Sequence, residues 1–137
     1  MSHPMPSSSS ADERSRLEQL LQNLYASRTA GDLDRLCGLF APDALFKIAG
    51  SSDGKPISIA ARGEREIRTW LGVLVKSSRI SRHEIVSMVI DSPRAAVQWR
   101  ASIHSRVTGA SVATDLLDMV ETRDGRISSY LELFVPA

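Results

Sequence analysis

Hydrophobic residues near the start of the chain recur at helical spacing. Four leucines fall three or four positions apart and predict an amphipathic helix with one apolar face: Leu17, Leu20, Leu21 and Leu24. Ser10 and Glu13 have the spacing of a capping box, so we expect the helix to begin at Ser10. Gly31 is suited to end it in a left-handed conformation. Asp32 can then cap a second, short helix that ends at Pro42.

The middle of the chain mixes strand and helix patterns. Residues 44–49 predict a strand, residues 50–54 a turn, and residues 56–60 a short returning strand. Residues 63–75 return to helical spacing and predict a third helix. Its apolar side is formed by Ile67, Trp70, Leu71, Leu74 and Val75.

The rest of the chain is rich in strand patterns. We predict strands over residues 82–91, 94–107, 112–122 and 126–135, separated by turns at residues 92–93, at Gly109 and at residues 123–125. Long neighbouring strands joined by short turns predict an antiparallel sheet, and the helices must cover one of its faces. The expected fold class is therefore α+β.

Composition narrows the class of protein. The chain has 137 residues, 42% of them hydrophobic and 24% charged, which is typical of one globular domain. We expect that domain to span residues 12–137, after a disordered Ser/Pro-rich tail at residues 1–11. Lys and Arg total 17 against 16 Asp and Glu, a net charge of +1 without a basic excess, so nucleic-acid binding is not predicted.

Other sequence features argue against metals, cofactors and membranes. Cys37 is the only cysteine, and the three histidines have no metal-ligand spacing, so neither a disulfide nor a metal is predicted. The sequence has no glycine-rich phosphate loop and no dinucleotide fingerprint, so no cofactor is predicted. The sequence has no apolar run of membrane-spanning length and no signal-peptide pattern at its start. These features predict a cytoplasmic protein that does not interact with membranes.

Three segments resemble a known family. Residues 29–34 (TAGDLD) and 39–44 (LFAPDA) resemble the AGDLD…LFADDA segment of ketosteroid isomerases and SnoaL-like polyketide cyclases. Residues 118–127 (DMVETRDGRI) resemble their D-I-F-R-x-x-D-G-K-I segment. Over residues 12–135 the order of elements is similar to the nuclear-transport-factor-two-like fold. The resemblance implies a curved sheet wrapped by three helices into a cone, a cystatin-like roll, with a pocket between sheet and helices.

Asp118 is the first candidate for chemistry. It lies mid-strand between apolar neighbours, where a buried carboxyl must be hydrogen-bonded or protonated. Burial there would raise its pKa. The resemblance aligns Asp118 with the ketosteroid isomerase aspartate that stays protonated and donates to an enolate oxygen. The alternative is an outward-facing or ion-paired aspartate with a structural role.

Glu132 and Tyr130 are candidates in the last strand. A three-residue loop at residues 123–125 would place Asp118 opposite Tyr130, with Glu132 diagonal to it on the same face. A two-residue loop would shift the pairing by one and put Glu132 on the other face. The resemblance places an acidic residue at the Glu132 position in SnoaL-like cyclases and limonene epoxide hydrolase, and a histidine at the Tyr130 position. The alternative for Glu132 is a solvated residue at the sheet edge.

Further candidates lie on other elements. His104 and Arg100 share one face of the strand at residues 94–107, which is either the solvent face or a polar wall of the pocket. The resemblance to limonene epoxide hydrolase calls for an aspartate two residues after Arg100, where Ser102 stands instead, and this argues against epoxide hydrolysis. Trp70 is either a core residue or a substrate contact. The remaining predicted substrate contacts are Tyr25, Leu116 and Phe134.

Two departures argue against ketosteroid isomerisation itself. The resemblance places the general base at Ile48 and the oxyanion-stabilising tyrosine at Leu24. Tyr25 is one residue farther along the helix, a rotation of about 100°, which predicts that it misses the site.

The candidate residues and the resemblance together predict a cofactor-free acid–base isomerase, cyclase or dehydratase. Its substrate would be a small apolar, oxygenated molecule, polyketide-like or steroid-like. Asp118 would donate to the substrate oxygen, and Glu132 would be the base or its partner. The alternative is a non-catalytic module of the same fold that binds a ligand or a protein.

A second apolar face in the last hairpin predicts an interface. Residues of the parity opposite to Asp118 are largely apolar, and burial of both faces of a sheet requires a partner beyond the helices. We therefore expect a homodimer formed through the sheet. The apolar residues concerned are Leu117, Met119, Ile127, Leu131, Leu133 and Val135.

Overall fold

Helices and strands occupy nearly all of the chain that the structure describes. The structure, a computed structural model, describes residues 7–52 and 54–136. Its elements are α1 (Ser7–Ala30), α2 (Leu33–Gly38), β1 (Phe40–Ser52), β2 (Lys55–Arg62), α3 (Gly63–Ser77), β3 (Ser78–Asp91), β4 (Arg94–Ser105), β5 (Ser111–Arg123) and β6 (Arg126–Pro136). The fold is α+β, as predicted.

The first helix follows its predicted face but not its predicted start. α1 begins at Ser7, so Ser10 lies inside the helix and not at its cap, and residues 7–11 of the predicted tail are helical. Residues 1–6 of that tail lie outside the described residues. Gly31 ends the helix with a φ of 68°, as predicted. The buried face of α1 includes Leu17, Leu21 and Leu24.

The second helix is short, and Pro42 does not end it. The Asp32 side chain accepts a hydrogen bond from the backbone N–H of Arg35 at 3.2 Å, which confirms it as the cap of α2. The helix ends at Gly38, and Pro42 lies inside β1. The pairing of β1 with β6 is irregular between Phe40 and Leu45, and an interrupted ladder tolerates a residue without an N–H.

The sheet is mixed, whereas the sequence predicted an antiparallel one. Its strand order is β2-β1-β6-β5-β4-β3, in which β1 runs parallel to β6 and all other pairs are antiparallel. α1 packs on β3, and α3 packs on β1 and β2, so the helices cover one face, which we call the inner face. Among the described residues, no helix has the length and apolar character needed to cross a membrane.

The last hairpin turns through two residues, so the predicted three-residue loop is wrong. Arg123 pairs with Arg126, and the turn residues Asp124 and Gly125 both have positive φ angles, 53° and 76°. Two residues with positive φ are typical of the turn that fits the twist of a tight hairpin. Without a further irregularity, this loop would put the two candidate carboxyls on opposite faces.

A β-bulge in β6 restores the predicted face. Thr122 pairs with Ile127, but Glu121 pairs with Ser129, so Ser128 is an extra residue. The one-residue shift from the shorter loop is thereby compensated. Ile127, expected on the outer face, is instead fully buried.

Candidate functional site

Two carboxyl groups lie side by side on the inner face of the sheet. Asp118 on β5 is directly opposite Glu132 on β6, and the side chains are 0% and 3% exposed. The predicted neighbour of Asp118 was Tyr130, which instead pairs with Val120. The bulge thus brings the two carboxyls closer together than the predicted diagonal arrangement would have.

One oxygen of Asp118 accepts three hydrogen bonds. Oδ2 accepts from the hydroxyl of Tyr25 at 2.6 Å, from the indole N–H of Trp99 at 2.8 Å and from the hydroxyl of Tyr130 at 2.8 Å. The other oxygen, Oδ1, is buried and has no hydrogen-bond partner. Such an atom is uncommon in native proteins, because an unpaired buried polar group costs about 1–3 kcal/mol.

The position of Tyr25 contradicts the prediction that it misses the site. Its hydroxyl lies 2.6 Å from Asp118, and both Tyr25 and Leu24 are buried. A helix packed on a sheet buries a stripe about 100° wide, so two consecutive residues can both lie within it. The positions that the resemblance assigns to the tyrosine and the general base are nevertheless occupied by apolar residues. These are Leu24, which is buried, and Ile48, which pairs with Glu132 across β1 and β6.

Arg28 completes the cluster and was missed by the sequence analysis. Its guanidinium forms an ion pair with Glu132, donates to the hydroxyl of Tyr130 at 3.0 Å, and lies 5.2 Å from the ring centre of Trp99. Its side chain is only 12% exposed. The available signal was its helical spacing, since Arg28 follows Leu21 and Leu24 on the buried stripe of α1.

The pKa values of the two carboxyls are shifted in opposite directions. Burial, together with repulsion from Glu132, raises the pKa of Asp118 well above its usual range. Burial also acts to raise the pKa of Glu132, but the adjacent Arg28 guanidinium outweighs it and the pKa is lowered. At neutral pH we therefore assign a proton to Asp118 and a negative charge to Glu132. With Arg28 positive, the cluster is then neutral overall.

His83 is a second residue that the sequence analysis missed. Its ring lies 5.0 Å from that of Tyr25 and 5.1 Å from that of Trp99, measured between ring centres. Its Nε2 atom is buried and has no hydrogen-bond partner. Burial, with a smaller contribution from Arg28, lowers the pKa of His83, which favours the neutral imidazole.

Two of the predicted site residues lie elsewhere. Arg100 forms an exposed ion pair with Asp115 at 2.6 Å, and His104 contacts the hydroxyl of Ser111 at 2.9 Å, also at the surface. Both alternate with the buried Trp99 along β4 and so belong to the outer face. The solvent-face alternative therefore describes them, and we remove both from the candidate site.

The other predicted contacts are apolar neighbours of the cluster or core residues. Leu116 pairs with Phe134 on the inner face, two positions from the pair formed by Asp118 and Glu132. Trp70 is partly buried and packs against the core from α3, consistent with the core alternative. Within the described ranges, no group of three side chains has the geometry to hold a metal ion.

Two cavities adjoin the cluster. One, of about 550 Å³, lies between α1 and β3 and is lined by Tyr25 and His83 among others. The other, of about 210 Å³, is lined by Arg28 and by apolar side chains that include Leu71 and Leu74. Asp118 and Glu132 line neither cavity, whereas their hydrogen-bonded partners Tyr25 and Arg28 each line one.

The fold is of the nuclear-transport-factor-two-like type. Residues 21–130 match the SnoaL-like domain, and the chain belongs to that family. No curated protein sequence matches it.

Solved structures support the same fold. A Bacillus subtilis protein that is named provisionally as an isomerase has a TM-score of 0.77 and 21% identity, over 90% of this chain and 89% of that one. A nuclear-transport-factor-two-like protein of Burkholderia xenovorans has a TM-score of 0.73 and 20% identity, over 89% and 91%. An LEH-like epoxide hydrolase of M. tuberculosis has a TM-score of 0.71 and 15% identity, over 90% and 85%. Likeness at these identities establishes the fold, and activity must be argued from the site.

Proposed function

We propose that this protein is a cofactor-free acid–base enzyme for a small, largely apolar molecule that carries a carbonyl group. The reaction would be an isomerisation, cyclisation or dehydration that passes through an enol or enolate. The observation that carries the proposal is the fully buried Asp118, which is hydrogen-bonded to Tyr25, a residue that lines a cavity. A carboxyl kept neutral at pH 7 is a proton donor that costs no desolvation of charge during the reaction.

In the proposed mechanism, Asp118 acts through Tyr25. An ionised carboxylate would bind the Tyr25 hydroxyl proton permanently, because it can only accept hydrogen bonds. A protonated carboxyl can instead donate to the phenol oxygen, which frees the Tyr25 hydroxyl to donate to a ligand's carbonyl oxygen. Burial, with the adjacent Asp118, raises the pKa of Tyr25, so that it remains a neutral donor.

Burial and Glu132 hold Asp118 in its protonated state, against the opposing effect of the Arg28 charge. Glu132 repels a second negative charge at Asp118, while Arg28 neutralises the charge of Glu132 itself. An ion-paired glutamate is a weak base, so we assign Glu132 the role of positioning residue and not that of the proton acceptor proposed from the sequence. Tyr130 links the pair, with its hydroxyl oxygen 2.8 Å from Asp118 and 2.7 Å from Glu132.

The test is an enolisation assay that needs no knowledge of the product. The exchange of the acidic carbon-bound hydrogens of β-tetralone in deuterium oxide is followed by proton NMR. We expect Tyr25→Phe to lower the enzymatic exchange rate at least about 100-fold, and Asp118→Asn at least about tenfold, since an amide N–H is a weaker hydrogen-bond donor to the Tyr25 oxygen than a carboxyl O–H. Asp115→Asn, which changes a partly exposed carboxylate in the same strand, is the matched control and should keep the wild-type rate. Unchanged exchange in both Tyr25→Phe and Asp118→Asn would refute the proposal.

A second candidate function is non-catalytic binding of a similar ligand. It is favoured by the enclosure of both carboxyls, which leaves no acidic group on the walls of the two cavities beside them. The same assay separates the two functions. A binder would shift or broaden the NMR signals of β-tetralone without accelerating exchange.

We also propose that the chain forms a homodimer through the outer face of the sheet. Leu117, Met119, Leu133 and Val135 are all exposed there, and Leu117 is paired with Leu133 across the strands. A contiguous apolar surface of this kind on neighbouring strands is typical of an interface. Sedimentation at micromolar concentration should give the mass of a dimer, and a monomeric mass would contradict this proposal.

A further inference from the structure

His83 lies in an irregular part of β3 that directs it into the interior. Ser81 pairs with Ser102 and Glu84 pairs with Arg100, so β3 has one more residue than β4 over this stretch. Arg82, within the bulge, has a φ of 53°, a left-handed conformation that is unfavourable for a residue other than glycine. Bulges of this kind often redirect a side chain beside a functional site.

The redirected imidazole belongs to the same cluster as Asp118. His83 contacts the rings of Tyr25 and Trp99, and these two side chains are both hydrogen-bonded to Oδ2 of Asp118. Two buried side-chain polar atoms in the described residues lack a partner, and they are Nε2 of His83 and Oδ1 of Asp118. Both unpaired atoms therefore belong to side chains that contact Tyr25 and Trp99, so the unsatisfied hydrogen-bonding capacity of the described residues is concentrated around these two rings.

The cavity between α1 and β3 is lined by both His83 and Tyr25. It has a volume of about 550 Å³, and its walls come from Gln22, Tyr25 and Thr29 on α1 and from Ile80, Arg82 and His83 on β3. No carboxylate side chain lines it. A group that accepts a proton from a ligand in this cavity must therefore be His83, since Tyr25 is already a neutral donor.

We propose that His83 is the general base of the reaction and that the cavity between α1 and β3 is the substrate site. This inference rests on the proposed function, and it identifies the substrate as a small ketone or enol whose carbonyl oxygen meets Tyr25. The imidazole takes a proton from the carbon next to the carbonyl. The electron pair of the broken C–H bond forms the C=C bond, and the carbonyl π pair moves to the oxygen, which the Tyr25 hydroxyl stabilises. The imidazolium then returns the proton to carbon, so that no cofactor or oxidant is required.

The structure supports each half of this step. The lowered pKa of His83 keeps its imidazole unprotonated and able to accept a proton at neutral pH. The buried acid behind Tyr25 stabilises the oxygen, while Arg28 is engaged with Glu132 and does not hold the ligand. Acid and base are thus supplied by different elements, Tyr25 by α1 and His83 by β3.

The test uses the full-length protein with β-tetralone and the exchange assay described above. We expect His83→Ala to lower the exchange rate at least about 100-fold, and added imidazole to restore part of it through the space the side chain vacates. His104→Ala, which removes the outer-face histidine, is the matched control and should keep the wild-type rate. Circular dichroism checks that each variant is folded. If His83→Ala fails to fold, His83→Gln replaces it, and a glutamine variant with the wild-type rate would overturn the inference.

The outcomes separate this inference from the proposed function. Loss in His83→Ala with rescue by imidazole supports His83 as the base. If His83→Ala keeps the wild-type exchange rate while Tyr25→Phe loses it, the role of His83 is overturned and the proposed function stands. Loss without rescue in a folded His83→Ala variant assigns a packing role to His83 and overturns the inference. If the unmutated protein exchanges the hydrogens of β-tetralone no faster than buffer alone does, both the inference and the proposed function are overturned.

Discussion

The protonation of Asp118 predicts a specific dependence of stability on pH. The unfolded chain ionises this carboxyl near its ordinary pKa of about 3.9, whereas the native state raises the pKa well above that value. Below both pKa values the carboxyl is protonated in both states and contributes no pH dependence. Between them, folding takes up one proton, so the free energy of unfolding falls as pH rises. Asp118→Asn has no proton to take up and should lack this fall.

The expected magnitude follows from one proton. The difference in unfolding free energy between Asp118→Asn and wild type should grow by about 1.4 kcal/mol per pH unit between the two pKa values. Each of the groups facing Asp118 is present in both proteins: Tyr25, Arg28, Trp99, Tyr130 and Glu132. The lowered pKa of Glu132 contributes stability that is lost only as pH falls below its ordinary value, so it largely cancels in the difference.

Urea denaturation at pH 5, 6, 7 and 8 measures the difference, because urea leaves the ionic strength unchanged. The amide introduces an unpaired donor, which adds a constant destabilisation of about 1–3 kcal/mol at every pH. The test is therefore the change with pH of the difference in unfolding free energy, and not the size of that difference at one pH. Asp115→Asn is the control, since it removes a partly exposed, ion-paired carboxylate of the same strand and leaves the buried cluster intact. Parallel curves for wild type and Asp118→Asn above pH 5 would show that Asp118 is ionised in the native state and would refute our assignment.

Three further predictions test the cluster, the sheet and the interface. Arg28→Met leaves the buried Glu132 without its cation and should cost about 3–5 kcal/mol at pH 7 in urea denaturation, part of which Arg28→Met combined with Glu132→Gln recovers. Gly50→Ala places a Cβ atom 2.6 Å from the Phe134 ring and should destabilise by about 2–3 kcal/mol, seen as a lower melting temperature; an unchanged one would contradict the close approach. Met119→Glu puts a charge on the outer face and should convert a dimer to a monomer in sedimentation; a dimeric variant would exclude Met119 from the interface.

The regular elements could be predicted because near neighbours in the sequence decide them. The leucine spacing of α1, the left-handed Gly31 and the Asp32 cap each depend on a few consecutive residues, and the structure has all three. The prediction that Asp118 lies on the opposite face of its strand from Leu117 and Met119 was also correct, because alternation along one strand is local. The start of α1 was not correct, because a serine at a capping-box spacing can also lie inside a helix.

The candidate site required information that no local pattern contains. Tyr25 contacts Asp118 and Arg28 contacts Glu132, although about a hundred residues separate the partners in the sequence. The orientation of α1 on the sheet decides that contact, and a helical wheel alone predicted that Tyr25 would miss. The outward direction of Arg100 and His104 followed in the same way from which face of β4 the helices cover.

Two β-bulges position side chains that no local sequence pattern could position. Patterns along the chain were enough to predict the element order, the fold class, the family resemblance and the presence of two carboxyls in the last hairpin. The extra residue at Ser128 placed those carboxyls side by side, and the extra residue in β3 turned His83 toward Tyr25. A bulge depends on how two strands and the helix above them pack together. The alternation of residues within one strand does not show where an extra residue interrupts the pairing with the next strand.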